Sequence, residues 1–385
     1  MPRKSRLAVI LLILLLATIL IGSFLPIGRA TASALLLLPE FFPGAPVRPL
    51  AWLTPAPIKS TIQLAYAGGA SAADLYVPST PGKHGAVIIF LGVAQAGRDD
   101  PRVVRLGEGL ARVGLETIVP ESQDLLNSKV DPTEIDEVVA AFQFLANRPE
   151  VDPQRIGIGG FCIGASLGLV AAEDPRINRQ VALVNSFTGY DDLATYVVSI
   201  VTHSVEPYPP EPGTARLPWE PAPNATAVLA DHLISLDPLA VEAKLLRAAA
   251  HDPQAPRPDP AKLTATGRTV WSLLTTRDPA EAQRLLGELP PAARDALQHL
   301  SPDSHLDRLH AKVFIMHDRD DATVPYVESR RLAAQLPPSQ VEYDEFELFK
   351  HVDPTAAVSP LVFLRDTARL AGHMIQIIAL LQVSG

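Results

Sequence analysis

The chain has a single cysteine, Cys162, among its 385 residues. No intrachain disulfide can therefore form, and the fold must hold through its core alone. No Cys/His cluster shows the spacing of a structural zinc site, and no Gly-x-x-x-x-Gly-Lys phosphate loop occurs. Positive charge is also in short supply. The 33 Lys and Arg residues against 42 Asp and Glu give a formal net charge of −9. No dense basic patch lies beyond the N-terminus, which argues against nucleic acid as a partner. Nothing calls for a metal or organic cofactor. Proline, by contrast, is plentiful at 37 residues, and its clusters mark loops and linkers.

The longest apolar run is at the start. Arg3, Lys4 and Arg6 precede an uncharged, predominantly apolar stretch over residues 7–25, close to the roughly twenty residues that a helix needs to cross a bilayer. With the basic flank held in the cytoplasm, residues 1–28 are expected to act as a signal-anchor or transmembrane segment. The rest of the chain would then be extracytoplasmic and membrane-anchored. Ala32-Ser33-Ala34 resembles a small-residue cleavage site, so secretion after signal cleavage is the alternative. Residues 29–58 are apolar but punctuated by proline, and read as a linker that lies on the lipid surface or packs on the domain.

From residue 59 to 383 the pattern is that of one α/β domain. Two strand-like runs around Gly68-Gly69 read as a hairpin. Residues 85–91 are a continuous apolar run, expected of a strand buried on both faces of a parallel sheet, and residues 115–120 read as a second buried strand. They alternate with helical stretches at 103–113 and 132–147, and such alternation implies βαβ units. Residues 155–159 form the next strand, and it runs into Gly160-Phe161-Cys162-Ile163-Gly164 and a small-residue helix. A nucleophile flanked by glycines at minus two and plus two, between strand and helix, needs that lack of bulk because the turn is strained. The helix that follows points N–H groups at the sulfur and favours its thiolate. A lone cysteine at a strand end can equally be an inert small hydrophobe, so the downstream residues matter.

Residues 180–185 continue the strand series. Residues of about 205–308 then show no strand, only proline-rich segments and helical stretches near 225–234, 240–250 and 280–289, as expected of a helical cap inserted over the strand ends. Such caps exclude water and shape access. A strand over 311–316 leads to His317-Asp318-Arg319-Asp320-Asp321 and on to Val324-Pro325, then to a helix over 324–336. A strand over 341–349 ends at Lys350-His351, and a helix over 361–381 closes the chain.

The order cysteine, aspartate, histidine, with Asp321 in an Asp-x-x-Val-Pro turn and His351 after the last strand, resembles the α/β-hydrolase family. Cysteine in the elbow further resembles its dienelactone-hydrolase-like branch. The resemblance covers residues 60–383 apart from the insertion, and the membrane segment and the long insertion depart from that branch. It implies an α/β-hydrolase fold, with a mostly parallel central sheet flanked by helices. It also implies a Cys162–Asp321–His351 triad cleaving an ester or lactone through a thioester, with no cofactor. Backbone N–H groups of Val93 and Ile163 would form the oxyanion hole. Asp320 rivals Asp321 as the acid. His317 could stand behind it or simply end a strand, and Ser166 lies inside the helix. A peptidase or acyltransferase on the same triad, or a non-catalytic binding module, remain the competing readings. The partners expected are a small-molecule ester or lactone and the membrane.

Overall fold

The computed structural model describes residues 26–93, 96–210, 213–235, 242–252 and 254–382. The apolar run at 7–25, and with it the expected anchor, lies outside these residues. Among the described residues no helix is long and apolar enough to cross a membrane.

The core is an eight-stranded sheet. Its strands are β1 (Ile58–Tyr66), β2 (Gly69–Val77), β3 (His84–Phe90), β4 (Leu115–Pro120), β5 (Val151–Phe161), β6 (Val181–Phe187), β7 (Lys312–Asp318) and β8 (Val341–Phe346). They lie in the order β1-β2-β4-β3-β5-β6-β7-β8. The β1–β2 hairpin is antiparallel, and β2 also runs antiparallel to β4. All other pairings are parallel. β3 and β4 are buried along their whole length; the apolar run of β3 accounts for this directly, while β4 buries Glu116 paired with Arg148.

Register decides where chemistry can gather. Phe161 pairs with Phe187, Phe187 with Met316, and Phe346 with Asp318. The carboxyl ends of β5, β6, β7 and β8 therefore finish together, and the loops beyond them open on one sheet edge, the usual place for a ligand in such sheets.

Of the two places expected for residues 29–58, the structure shows packing on the domain, much of it as a helix. A helix, α1 (Pro26–Phe41), spans most of the segment's first half, with Pro39 near its end. Its stripe of Ala30, Ala34 and Leu37 is buried at the i, i+4, i+7 spacing of one helix face. It packs on α2 (Pro101–Arg112) and on the final helix, α12 (Pro360–Leu381). At Gly109 on α2 a Cβ would come within 2.6 Å of Leu37. Phe42 meets Phe363 at 5.8 Å between ring centroids, and Gln382 donates to Ser33 at 2.9 Å. Prolines at 39, 43, 46 and 49 hid a helix whose partner comes at the other end of the chain. Ala34 of the cleavage-like triplet is buried mid-helix.

Among the described residues the remaining helices of more than four residues are α3 (Thr133–Ala146), α4 (Ile163–Glu173), α5 (Leu193–Thr202), then α6 (Pro223–Ser235), α7 (Ala243–His251), α8 (Ala265–Thr275), α9 (Pro279–Gly287) and α10 (Pro291–His299) in the insertion, and α11 (Tyr326–Gln335). The insertion is helical, as expected, and α8 and α10 add to the helices read from sequence. It also carries a short ladder of Ser204–Val205 with Leu217–Pro218, which proline at 218 obscured.

Candidate active site

Cys162 follows β5 directly and precedes the first residue of α4. Its backbone is at φ 57°, ψ −134°, a conformation that costs a non-glycine residue on the order of 1–3 kcal/mol. The surroundings impose it. The Cys162 N–H donates to the Phe187 carbonyl at 2.9 Å, and its carbonyl accepts from Ala165 at 2.9 Å. The flanking glycines are steric necessities: a Cβ at Gly160 would lie 2.3 Å from Ala165 Cα, and one at Gly164 would lie 2.5 Å from the Leu91 carbonyl oxygen. The Ile163 N–H opens α4 and so has no acceptor within the helix. Gly92, in the loop after β3, sits against the elbow: a Cβ there would be 2.9 Å from Cys162 Cβ and 3.2 Å from Ile163 N. Val93 and Ile163 both line the cavity that Cys162 opens on.

The candidate acid and base come from the loops after β7 and β8. His351 Nδ1 donates to Asp321 Oδ2 at 2.7 Å, which leaves Nε2 for the Cys162 sulfur, with which the imidazole also hydrogen bonds. Asp321 is buried. Its Oδ1 accepts from the N–H groups of Thr323 (2.7 Å) and Val324 (3.1 Å). Burial pushes its carboxyl up, but the His351 charge and hydrogen bonds from His317 and His351 outweigh that and hold it well below the usual carboxylate range. For His351 burial pulls down, yet the charges of Cys162 and Asp321, with hydrogen bonds to both, raise it well above an ordinary histidine. Asp320, the rival acid, is exposed.

His317 is fully buried behind the acid. Its Nε2–H donates to the Val324 carbonyl at 2.9 Å and lies 3.5 Å from Asp321 Oδ2, while Nδ1 stands 2.7 Å from the Ser329 hydroxyl. Ser166 is buried, with its hydroxyl exchanging 2.8 Å hydrogen bonds with the backbone of Tyr190. Two participants escaped sequence reasoning. Asp318, at the end of β7, accepts the His351 N–H at 3.2 Å. Trp219, in the insertion, donates its indole N–H to the Asp321 carbonyl at 2.8 Å. The Asp318-Arg319-Asp320-Asp321 cluster was a signal for the first; nothing in the sequence pointed to the second.

The dienelactone hydrolase family model matches residues 108–190, a span that holds the elbow but neither Asp321 nor His351. Sheet order, elbow and family match agree. The chain has an α/β-hydrolase fold, and its elbow segment, residues 108–190, is similar to the dienelactone hydrolase family. Among solved structures, this α/β-hydrolase is similar to a Mycobacterium tuberculosis puromycin-hydrolyzing peptidase, at 17% identity and a TM-score of 0.50 over 86% of this chain and 41% of that one. It is also similar to the 2,6-dihydroxy-pseudo-oxynicotine hydrolase (14%, TM-score 0.48, 84% and 68%) and to a Pyrobaculum calidifontis esterase (13%, TM-score 0.45, 91% and 90%). At such identities the likeness to the peptidase is one of fold, and the match takes in less than half of that protein. None of the curated proteins compared with the chain matches it. Among the described residues no group of His, Cys, Asp and Glu could hold a metal ion.

Proposed function

We propose that this hydrolase cleaves a small ester or lactone through a Cys162 thioester. The observation that carries the reading is the hydrogen-bonded series Cys162–His351–Asp321, anchored at 2.7 Å between His351 and Asp321. The Cys162 sulfur attacks the carbonyl carbon, and the carbonyl electrons move to oxygen, where the N–H groups of Ile163 and Val93 receive the charge. As the tetrahedral centre collapses, the bond to the leaving oxygen breaks and the His351 imidazolium gives that oxygen its proton. Water then loses a proton to His351, attacks the thioester and frees the acid and the Cys162 thiol. Asp321 holds the imidazole in the tautomer that this exchange needs.

The same reading extends to location. Residues 7–25 act as an uncleaved anchor, with the catalytic domain outside the cytoplasm. The support is that Ala32-Ser33-Ala34 is built into α1, with Ala34 fully buried.

The test is p-nitrophenyl butyrate hydrolysis by the full-length chain beside Cys162→Ala, with intact-mass analysis of quenched reactions. Activity lost in the variant and a butyryl adduct on Cys162 labile to hydroxylamine are the expected results. An unchanged rate in Cys162→Ala would falsify the mechanism.

A further inference from the structure

The cavity over Cys162 has a volume of about 740 Å³, and its walls divide by chemistry. On one side α5 contributes Val197 and Ile200, both buried, and α6 from the insertion contributes Ala225, Val228 and Leu229, with Asn224 and the Arg247-paired Asp231 as its polar members. Tyr190 and Tyr196 also face this chamber, but their hydroxyls are committed to the carbonyls of Leu300 (3.0 Å) and Thr323 (2.7 Å). Their donor hydrogens are thus spent inside the protein, and they meet a ligand chiefly with their rings. His232 on α6 lines the cavity as well, and burial lowers it to about 4, so it carries no charge at neutral pH. Elsewhere the lining carries charge. There Arg102 pairs with Asp100 and Asp353, and Glu40 pairs with Arg48. With two carboxylates already on its guanidinium, Arg102 has little to offer an anionic leaving group.

We propose that the chamber between α5 and α6 is an acyl-chain site, taking an unbranched apolar acyl group of roughly eight to twelve carbons from an ester with an uncharged leaving group. The proposal rests on the Cys162 ester-hydrolase reading above. A methylene occupies about the volume of a water molecule, about 30 Å³, so the cavity accommodates on the order of twenty-five non-hydrogen atoms. That is room for such a chain and its leaving group together. A buried apolar wall rewards each methylene it takes from water, whereas a short acyl group would leave most of it uncovered. The chain lies against helices of both the core and the insertion, so the insertion sets acyl length.

The test uses the full-length protein with p-nitrophenyl esters from acetate to dodecanoate, wild type beside Val228→Phe, which places a ring in the chamber from the partly buried cap side. Ala225→Val is a second, smaller intrusion should the first fail to fold. Displacement of cis-parinaric acid by decanoic acid is measured in Cys162→Ala, alone and combined with either intrusion. The expected result is a kcat/KM rising about three- to fourfold per methylene until the chamber fills. The decanoate-to-butyrate ratio should fall at least tenfold in Val228→Phe, and probe displacement should weaken in parallel. Cys162-dependent hydrolysis that falls with chain length, or a ratio unmoved by both intrusions, overturns the acyl site and leaves the hydrolase reading standing. Displacement that is sensitive to the intrusions, without Cys162-dependent hydrolysis of any ester, supports the site and overturns the hydrolase reading. Neither hydrolysis nor displacement overturns both.

Discussion

The indole N–H of Trp219 donates to the main-chain carbonyl of Asp321 at 2.8 Å, and a few residues on, the Ala222 N–H donates to the carbonyl of Ala322 at 2.6 Å. The proline-rich entry to the insertion is thus fastened to the loop that carries the acid. Trp219→Phe keeps the ring and removes the donor, worth about 1 kcal/mol for an ordinary hydrogen bond. We expect kcat on p-nitrophenyl butyrate to fall roughly fivefold with little change in KM. A KM effect without a kcat effect would mean that Trp219 shapes substrate access rather than the acid.

Asp321 and Asp320 separate by a single pair of variants. Asp321→Asn preserves shape but withdraws the charge opposite His351, and kcat should drop on the order of 10³–10⁴ fold, the scale set by orienting a catalytic histidine. Asp320→Asn alters an exposed side chain and should leave kcat within about twofold. Steady-state rates for the two, measured side by side, decide the acid. Equal losses would place it at neither residue alone.

The glycines divide the same way. Gly164→Ala drives a Cβ to 2.5 Å from the Leu91 oxygen and 2.6 Å from the Phe90 oxygen. Both are main-chain atoms, one in the last residue of β3 and one just beyond it, so relief requires moving the end of β3, and stability should fall by about 3 kcal/mol. At Gly372 on α12 an added Cβ meets nothing within 4 Å, and Gly372→Ala should gain up to about 1 kcal/mol from helix propensity. Thermal melts of the two variants should move in opposite directions.

Stability should also depend on pH through Glu173, at the end of α4. Burial first, then Asp303 and Asp307, push it to about 9, and both its carboxyl oxygens lack a hydrogen-bond partner. Unfolding returns it to an ordinary carboxyl near 4.5. The folded state therefore binds more protons between those values, and stability is lost as pH rises from about 4.5 towards 9. Glu173→Gln should gain on the order of 2 kcal/mol at pH 8 and nothing at pH 4. Denaturant midpoints that track wild type across that range would show that another group carries the dependence.

How much of this was legible in the sequence follows from how local each signal is. Cys162 announced itself because a strained turn needs Gly160 and Gly164 within two residues. Asp321 and His351 stand at the ends of β7 and β8, and the apolar pattern of β7 and the alternation of β8 mark those strands. The α1 helix went unread because its apolar face is completed by α12 and by Gly109, positions that no local window joins to it. The same holds for Trp219, whose partner is an acid-loop carbonyl without any side-chain signature. The chamber walls were hidden too: Val197 and Val228 belong to helices that read as ordinary core and cap, and only their approach over the sheet edge makes them neighbours of Cys162.

The clasp between α1 and α12 has a temporal side. A chain leaving the ribosome makes Leu35-Leu36-Leu37-Leu38 first and Leu370, Met374 and Ile378 last. α2 can cover part of the buried face of α1 early, where Gly109 meets Leu37, but the rest of the cover arrives only with the final turns of the polypeptide, so α1 is among the last helices to settle.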